Sequence, residues 1–141
     1  MARPLRVEIG VSHVIVAEDD KEMRQLVAEV LRKDGHEVEE ADDGGRLLVK
    51  LAQSFELDPT LSLIDVVVSD LRMPVCNGLE LLEQLAEARW DVPFLLVTAF
   101  ADPVIRRRAE GLGAEVLDKP LSPDDLLAAV KRLARRRRRA S

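Results

Sequence analysis

Between Ile64 and Asp70 the chain reads Ile-Asp-Val-Val-Val-Ser-Asp, and Pro74 follows soon after. β-Branched residues at consecutive positions, instead of alternate ones, describe a strand covered on both faces. That is the environment of a parallel sheet. Parallel strands need crossover connections, so this run predicts helices elsewhere in the chain. Asp70 stands at the carboxyl end of the predicted strand, where open α/β sheets place their ligands. Taken alone, a carboxylate there is more readily a turn former or a helix cap, and the rest of the chain has to decide.

Taken in order, residues 1–12 read as a short leader. His13-Val14-Ile15-Val16-Ala17 is a first buried strand, followed directly by Glu18-Asp19-Asp20. A helix over 21–34 has Met23, Leu26, Val27, Val30 and Leu31 as its apolar stripe, and Gly35 closes it. His36 to Glu40 is a polar strand at or near a sheet edge, where charge discourages pairing between molecules. Asp42 or Asp43 caps a second helix with the stripe Leu47, Leu48, Leu51, Ala52 and Phe55. Residues 56–63, with Pro59, read as a surface loop longer than usual. After the strand to Asp70 and a loop over 71–77, a third helix over 78–89 turns Leu79, Leu82, Leu85 and Ala86 inward. Pro93 to Thr98 is a fourth buried strand. Asp102-Pro103 opens a fourth helix, whose thin stripe is Ile105, Ala109 and Leu112 and which Gly111 and Gly113 terminate. Its Arg106, Arg107 and Arg108 read as a solvated face. Glu115 to Asp118 is a short fifth strand. Ser122-Pro123-Asp124-Asp125 opens a last helix with Leu126, Leu127, Val130, Leu133 and Ala134 inward.

Five strands alternating with five helices make an α/β fold, a doubly wound parallel sheet. Five strands favour the flavodoxin-like order 2-1-3-4-5 over the six-strand dinucleotide-binding order. No Gly-x-Gly-x-x-Gly follows the first strand, which argues against a nucleotide-binding domain. The 141 residues suit one domain, and a net charge of −5 speaks against nucleic-acid binding over the whole surface. The single cysteine, Cys76, excludes an internal disulfide and fits a reducing compartment. There is no apolar run of about 18 residues that could span a bilayer. The cytoplasm is the expected location, with no membrane partner.

In a parallel sheet the strand ends share one edge. Glu18 and Asp19 follow strand one, Asp70 ends strand three, Thr98 ends strand four and Lys119 follows strand five. Three acids close together need a cation, or one of them holds a proton. Mg2+ takes carboxylate oxygens and often shares its site with phosphate. A central Asp70 could attack a phosphoryl group to give an aspartyl phosphate. The cation, the Lys119 ammonium and the Thr98 hydroxyl or a backbone N–H would then neutralise its oxygens.

Four stretches now matter together: Val14-Ile15-Val16-Ala17-Glu18-Asp19-Asp20, Val66 to Pro74 with Asn77-Gly78, Val97-Thr98-Ala99, and Asp118-Lys119-Pro120. In this order and at these spacings the chain resembles the response-regulator receiver domains of two-component signalling, from His13 to about Leu133. The resemblance implies a receiver domain over 13–134, with a basic tail over 135–141. It implies Asp70 as phosphoacceptor from a sensor histidine kinase or phosphotransfer protein. Glu18, Asp19, Asp70 and the Arg72 backbone carbonyl would bind Mg2+, Thr98 and Lys119 would contact the phosphoryl group, and Lys119-Pro120 would be cis. Output would leave through helix four, strand five and helix five. The implied protein is a switch that catalyses its own phosphotransfer, not a turnover enzyme. Its downstream partner is not named by the sequence, and dimerisation stays open.

The chain departs from the family pattern in places. Glu18 replaces a commoner Asp. Val116 stands where a switch Tyr or Phe is usual, which bears on coupling through Thr98 and keeps a phosphorylation-independent interaction module as the alternative. Val75-Cys76-Asn77 replaces a more usual Gly-Met-Asp, and Leu121 a frequent Phe. Arg72 and Phe100 lie where the family tunes access of the hydrolytic water, and their size predicts a long-lived phosphoryl group. A metal-dependent phosphatase is disfavoured, since Arg72 stands where that chemistry usually has a second acid. His13 and His36 start strands away from the acids and read as structural, and Cys76 reads as an inert loop thiol. Arg135 to Arg139 read as a solvated helix end or the start of a linker, with nucleic-acid binding the lesser reading.

Overall fold

The computed structural model describes residues 12–54, 64–99 and 102–140. The elements run β1 (His13–Ala17), α1 (Lys21–Lys33), β2 (Glu37–Ala41), α2 (Gly44–Ser54), β3 (Val66–Asp70), α3 (Gly78–Glu87), β4 (Phe94–Thr98), α4 (Pro103–Gly111), β5 (Glu115–Asp118) and α5 (Pro123–Ala140). The five strands form one parallel sheet in the order β2-β1-β3-β4-β5. Class, topology and strand order are those expected from the sequence. Residues 1–11 of the expected leader 1–12, Phe55, the 56–63 loop and Phe100 lie outside the described residues.

The sheet divides the core into two apolar layers. Ile15, Ala17, Val67, Phe94 and Leu96 point to one side, against Leu47 and Leu51 of α2, Leu81, Leu82 and Leu85 of α3, and Ala109 of α4. Their neighbours Val14, Val16, Val66, Val68, Leu95 and Val97 point to the other side, against Val27 and Leu31 of α1 and Leu126, Val130 and Leu133 of α5. Strict alternation thus persists along runs such as Val14–Ala17 and Phe94–Val97 that are apolar at every position. Each fully buried Val or Leu contributes about 1.5–3 kcal/mol, so the central strands carry much of the stability.

Three stripes differ from expectation in phase. Leu26 is 54% exposed, and Ala28 is buried in its place beside Val27 and Leu31. Ala52 is exposed while Ser54 is buried. In α3 the buried face is Gly78, Leu81, Leu82 and Leu85, with Leu79 half-buried and Ala86 exposed. Spacings of three, four and seven from Gly78 make the tighter helical stripe, and that glycine must face the sheet for reasons given below. Asp43, not Asp42, caps α2, accepting the Arg46 N–H at 2.8 Å.

Helix ends explain most turn positions. Gly35 at φ +92° and Gly113 at φ +93° follow α1 and α4. Behind them the His36 and Ala114 N–H groups reach back to the Leu31 and Ala109 carbonyls, the paired bonds of a Schellman end. Arg89 adopts φ +57° after α3 with the same pattern, Trp90 N–H bonding to Leu85. The Arg135–Arg139 stretch is helical within α5, in keeping with arginine's helix propensity and its favourable place at a C-terminus. Arg137 folds back to donate to the Asp91 carbonyl at 3.2 Å. Among the described residues no helix is long and apolar enough to cross a membrane.

Candidate functional site

Parallel pairing puts the carboxyl ends of β1, β3, β4 and β5 on one rim. Ala17 pairs with Ser69, Asp70 with Val97, and Thr98 with Asp118. The residues just past these ends therefore converge, although Glu18 and Lys119 are 101 positions apart.

Glu18, Asp19 and Asp70 each present a carboxylate oxygen within 4.8 Å of the others. Lys119 Nζ lies 2.9 Å from Glu18 Oε1 and 3.3 Å from Asp70 Oδ2. Glu18 is buried, Asp70 half-buried and Asp19 exposed, so the cluster opens to solvent on the Asp19 side. Burial holds the Glu18 carboxyl above the usual carboxylate range; the Lys119 hydrogen bond opposes this without cancelling it, and the Asp70 charge adds to it. Burial works to lower the Lys119 ammonium, but its hydrogen bond to Glu18 and the charges of Asp70 and Glu18 outweigh it and hold it above its ordinary value. Three carboxylates against one ammonium leave two formal negative charges, the complement of one divalent ion. An all-oxygen donor set suits a hard cation such as Mg2+.

Thr98 is buried at the end of β4, and its carbonyl accepts the Lys119 N–H at 2.8 Å. That bond sets where β5 ends and Lys119 begins its reach across the rim. The Lys119-Pro120 peptide is cis. Arg72 is exposed two residues beyond Asp70. Val116 pairs with Leu96 and packs half-buried against the layer beneath α4. Burial, with the Glu80 charge second, pushes the Cys76 thiol up, which leaves it a poor nucleophile.

Four residues that shape the rim have no role in the sequence reading: Gly78, Asn77 and Ser69, which stand there only inside quoted stretches, and Arg24. A Cβ on Gly78 would lie 2.5 Å from the Asp70 carbonyl oxygen and 2.6 Å from Leu96 Cδ1. Only glycine lets α3 start against the back of Asp70. Asn77 caps that start, accepting the Glu80 N–H at 2.8 Å while Glu80 Oε1 accepts the Asn77 N–H at 3.0 Å. The reciprocal pair is a capping box, legible as Asn-x-x-Glu. Ser69 Oγ donates to the Asp70 carbonyl at 2.9 Å. Arg24 donates to the Glu18 carbonyl at 2.9 Å; a lone arginine inside an amphipathic helix gives no signal in sequence.

The chain is similar to known proteins in sequence and in fold. The profile described as the response regulator receiver domain matches residues 14–131. The chain is 32% identical over 126 residues to a transcriptional regulatory protein CpxR homolog of Haemophilus influenzae, covering 89% of this chain and 51% of that protein. It is 36% identical to the response regulator MprA of a Mycobacterium species, covering 87% of this chain and 50% of that one. The chain thus spans about half the length of these curated relatives. Among solved structures it is similar to the chemotaxis response regulator CheY4 of Vibrio cholerae, with a TM-score of 0.73 and 31% identity over 87% of this chain and 98% of that one.

Proposed function

Because the chain belongs to the response regulator receiver domain family of two-component signalling, we propose that Asp70 is its phosphoacceptor and that Glu18, Asp19 and Asp70, with the Arg72 carbonyl, hold Mg2+. The observation that carries this is the convergence of three carboxylates with Lys119 on one rim. An Asp70 carboxylate oxygen forms a bond to phosphorus as the P–N bond of a phosphohistidine breaks, and the imidazole keeps that electron pair. Lys119, already 3.3 Å from Asp70, exchanges its carboxylate partners for a phosphoryl oxygen. Thr98 lies at the adjoining strand end to meet another. The bound cation supplies charge neutralisation for the transferred group. The phosphodonor is a sensor histidine kinase or a phosphotransfer protein.

Added charge at the rim then biases the surface of α4, β5 and α5. On that surface Arg106 Nη2 lies 2.9 Å from Asp118 Oδ1, and Arg132 Nη2 lies 2.8 Å from Glu115 Oε1. These ion pairs tie both helices to the edge strand and give α4 and α5 a shared reference for any shift of β5. The protein is a switch of the cytoplasm, without turnover, that passes its change of surface to a downstream partner. Val116, too small to act as a rotating aromatic ring, favours one second reading: a receiver-like module that binds its partner without phosphorylation. The exposed Arg72 supports a slowly hydrolysed phosphoryl group; rapid loss of label, unchanged in Arg72→Ala, would count against it.

The deciding experiment is incubation with acetyl phosphate and Mg2+, followed by intact mass. Wild type gains one phosphoryl group, while Asp70→Asn and Mg2+-depleted wild type do not. Equal labelling of Asp70→Asn removes the assignment, and an unlabelled wild type leaves the interaction module as the better reading.

A further inference from the structure

Resting on the reading of Glu18, Asp19 and Asp70 as the cation site, we propose that Arg24 is a positioning residue for it: its guanidinium fixes the peptide that carries Glu18 and Asp19. Arg24 Nη1 donates to the Glu18 carbonyl oxygen at 2.9 Å, and Nε donates to Glu40 Oε1 at 3.2 Å. The side chain is only 15% exposed. Glu40 lies on β2 beside Ala41, whose carbonyl accepts the Glu18 N–H at 3.0 Å. Both main-chain polar groups of Glu18 are therefore held from the end of β2, the N–H by Ala41 and the carbonyl through Arg24. Glu40 is itself braced by Arg32, whose Nη1 lies 3.2 Å from Oε2 and whose Nη2 donates to the Val38 carbonyl at 2.9 Å.

The clamp answers a physical need. Carboxylates this close repel, and a turn free to relax would spread them apart before a cation arrives. On the α1 side the turn is secured by Asp20, which caps the helix through the Met23 N–H at 3.2 Å, and whose own N–H bonds to Glu18 Oε2 at 3.1 Å. On the β2 side Arg24 joins it to the sheet. Groups that orient metal ligands without touching the metal commonly control affinity.

A charge effect alone has the opposite sign. Taking a guanidinium away from three acids strengthens their attraction for Mg2+, whereas losing the clamp weakens binding. Titration calorimetry of the full chain with Mg2+ alone, accompanied by thermal melts, separates the two. Arg24→Met is expected to bind Mg2+ about tenfold more weakly than wild type. Glu40→Gln, which leaves the bond to the Glu18 carbonyl in place, loses distinctly less. Arg24→Lys keeps the charge and one donor nitrogen, so it recovers part of the loss and binds between Arg24→Met and wild type; it carries the test should Arg24→Met not fold. Binding by Arg24→Met equal to or tighter than wild type overturns the proposal, as does an equal loss in Glu40→Gln, or unchanged binding in Arg24→Lys where that variant stands alone. Asp19→Asn tells the two levels apart. If wild type shows no Mg2+ binding that Asp19→Asn abolishes, the cation site itself is refuted and the positioning role with it. If that binding is present and only Arg24 is silent, the positioning role alone falls.

Discussion

Val75 is the residue whose replacement tests the backbone most directly. It has φ +74° in the loop between β3 and α3, and it is 82% exposed. A β-branched residue is a poor occupant of the left-handed region, which costs L-residues about 1–2 kcal/mol, with Val at the upper end. Its exposure means that under a fifth of a valine's burial energy is at stake, about 0.4 kcal/mol. The side chain covers little beyond Gly45, where an added Cβ would lie 3.3 Å from Val75 Cγ1. Glycine at 75 releases the strain, loses that contact and adds about 0.7 kcal/mol of unfolded-state entropy. The balance favours Val75→Gly by about 1 kcal/mol, or about 4 °C in a domain of this size. Urea and thermal unfolding followed by circular dichroism measure it. Val75→Ala is the control, because alanine keeps the left-handed penalty; its gain should stay below about half that of glycine. A less stable Val75→Gly, or an alanine variant equally stabilised, would show that strain at this φ is not what limits the loop.

Further outcomes follow from geometry already given. Gly78→Ala forces the Asp70 carbonyl or Leu96 to move, so it should cost about 2 kcal/mol or more in chemical unfolding and slow labelling by acetyl phosphate. Arg89→Gly, at φ +57° behind α3, should gain about 0.5 kcal/mol in the same assay. Glu18→Gln isolates a titration. Because the folded carboxyl of Glu18 lies above its ordinary 4.5, its contribution is fully present below that pH and is lost as pH rises through the folded value. Without Mg2+, wild type should therefore fall in melting temperature relative to Glu18→Gln as pH climbs from 4.5 toward neutrality; parallel curves would refute the assignment.

The sheet and most of the rim were legible because both rest on strong patterns. Consecutive β-branched residues before Asp70 left few options, and a parallel sheet then forces distant strand ends together. Less legible were features that depend on helix phase. Apolar spacing alone starts the α3 stripe at Leu79, although the phase is set by Gly78 pressing on Asp70, a contact no periodicity reveals. Leu26 sits at the margin of the α1 face, where period alone cannot separate half-buried from exposed. Val75 departs from the glycine its loop wants, and only the backbone angle shows how strained that substitution is. In the sequence Arg24 is one more charge on an amphipathic helix, and only the place of its guanidinium on a main-chain oxygen distinguishes it.

Among the described residues the two apolar layers share no side chain, and they meet across the strands between them. Ile15 and Leu96 serve the α2–α4 side, Val16 and Val97 the α1 and α5 side. A disturbance at the rim that tilts β4 or β5 is thus delivered to both sides at once but with opposite sense, tightening one layer where it loosens the other. Enlargements such as Val97→Ile and Leu96→Phe, adjacent in the chain, are expected to perturb different helices.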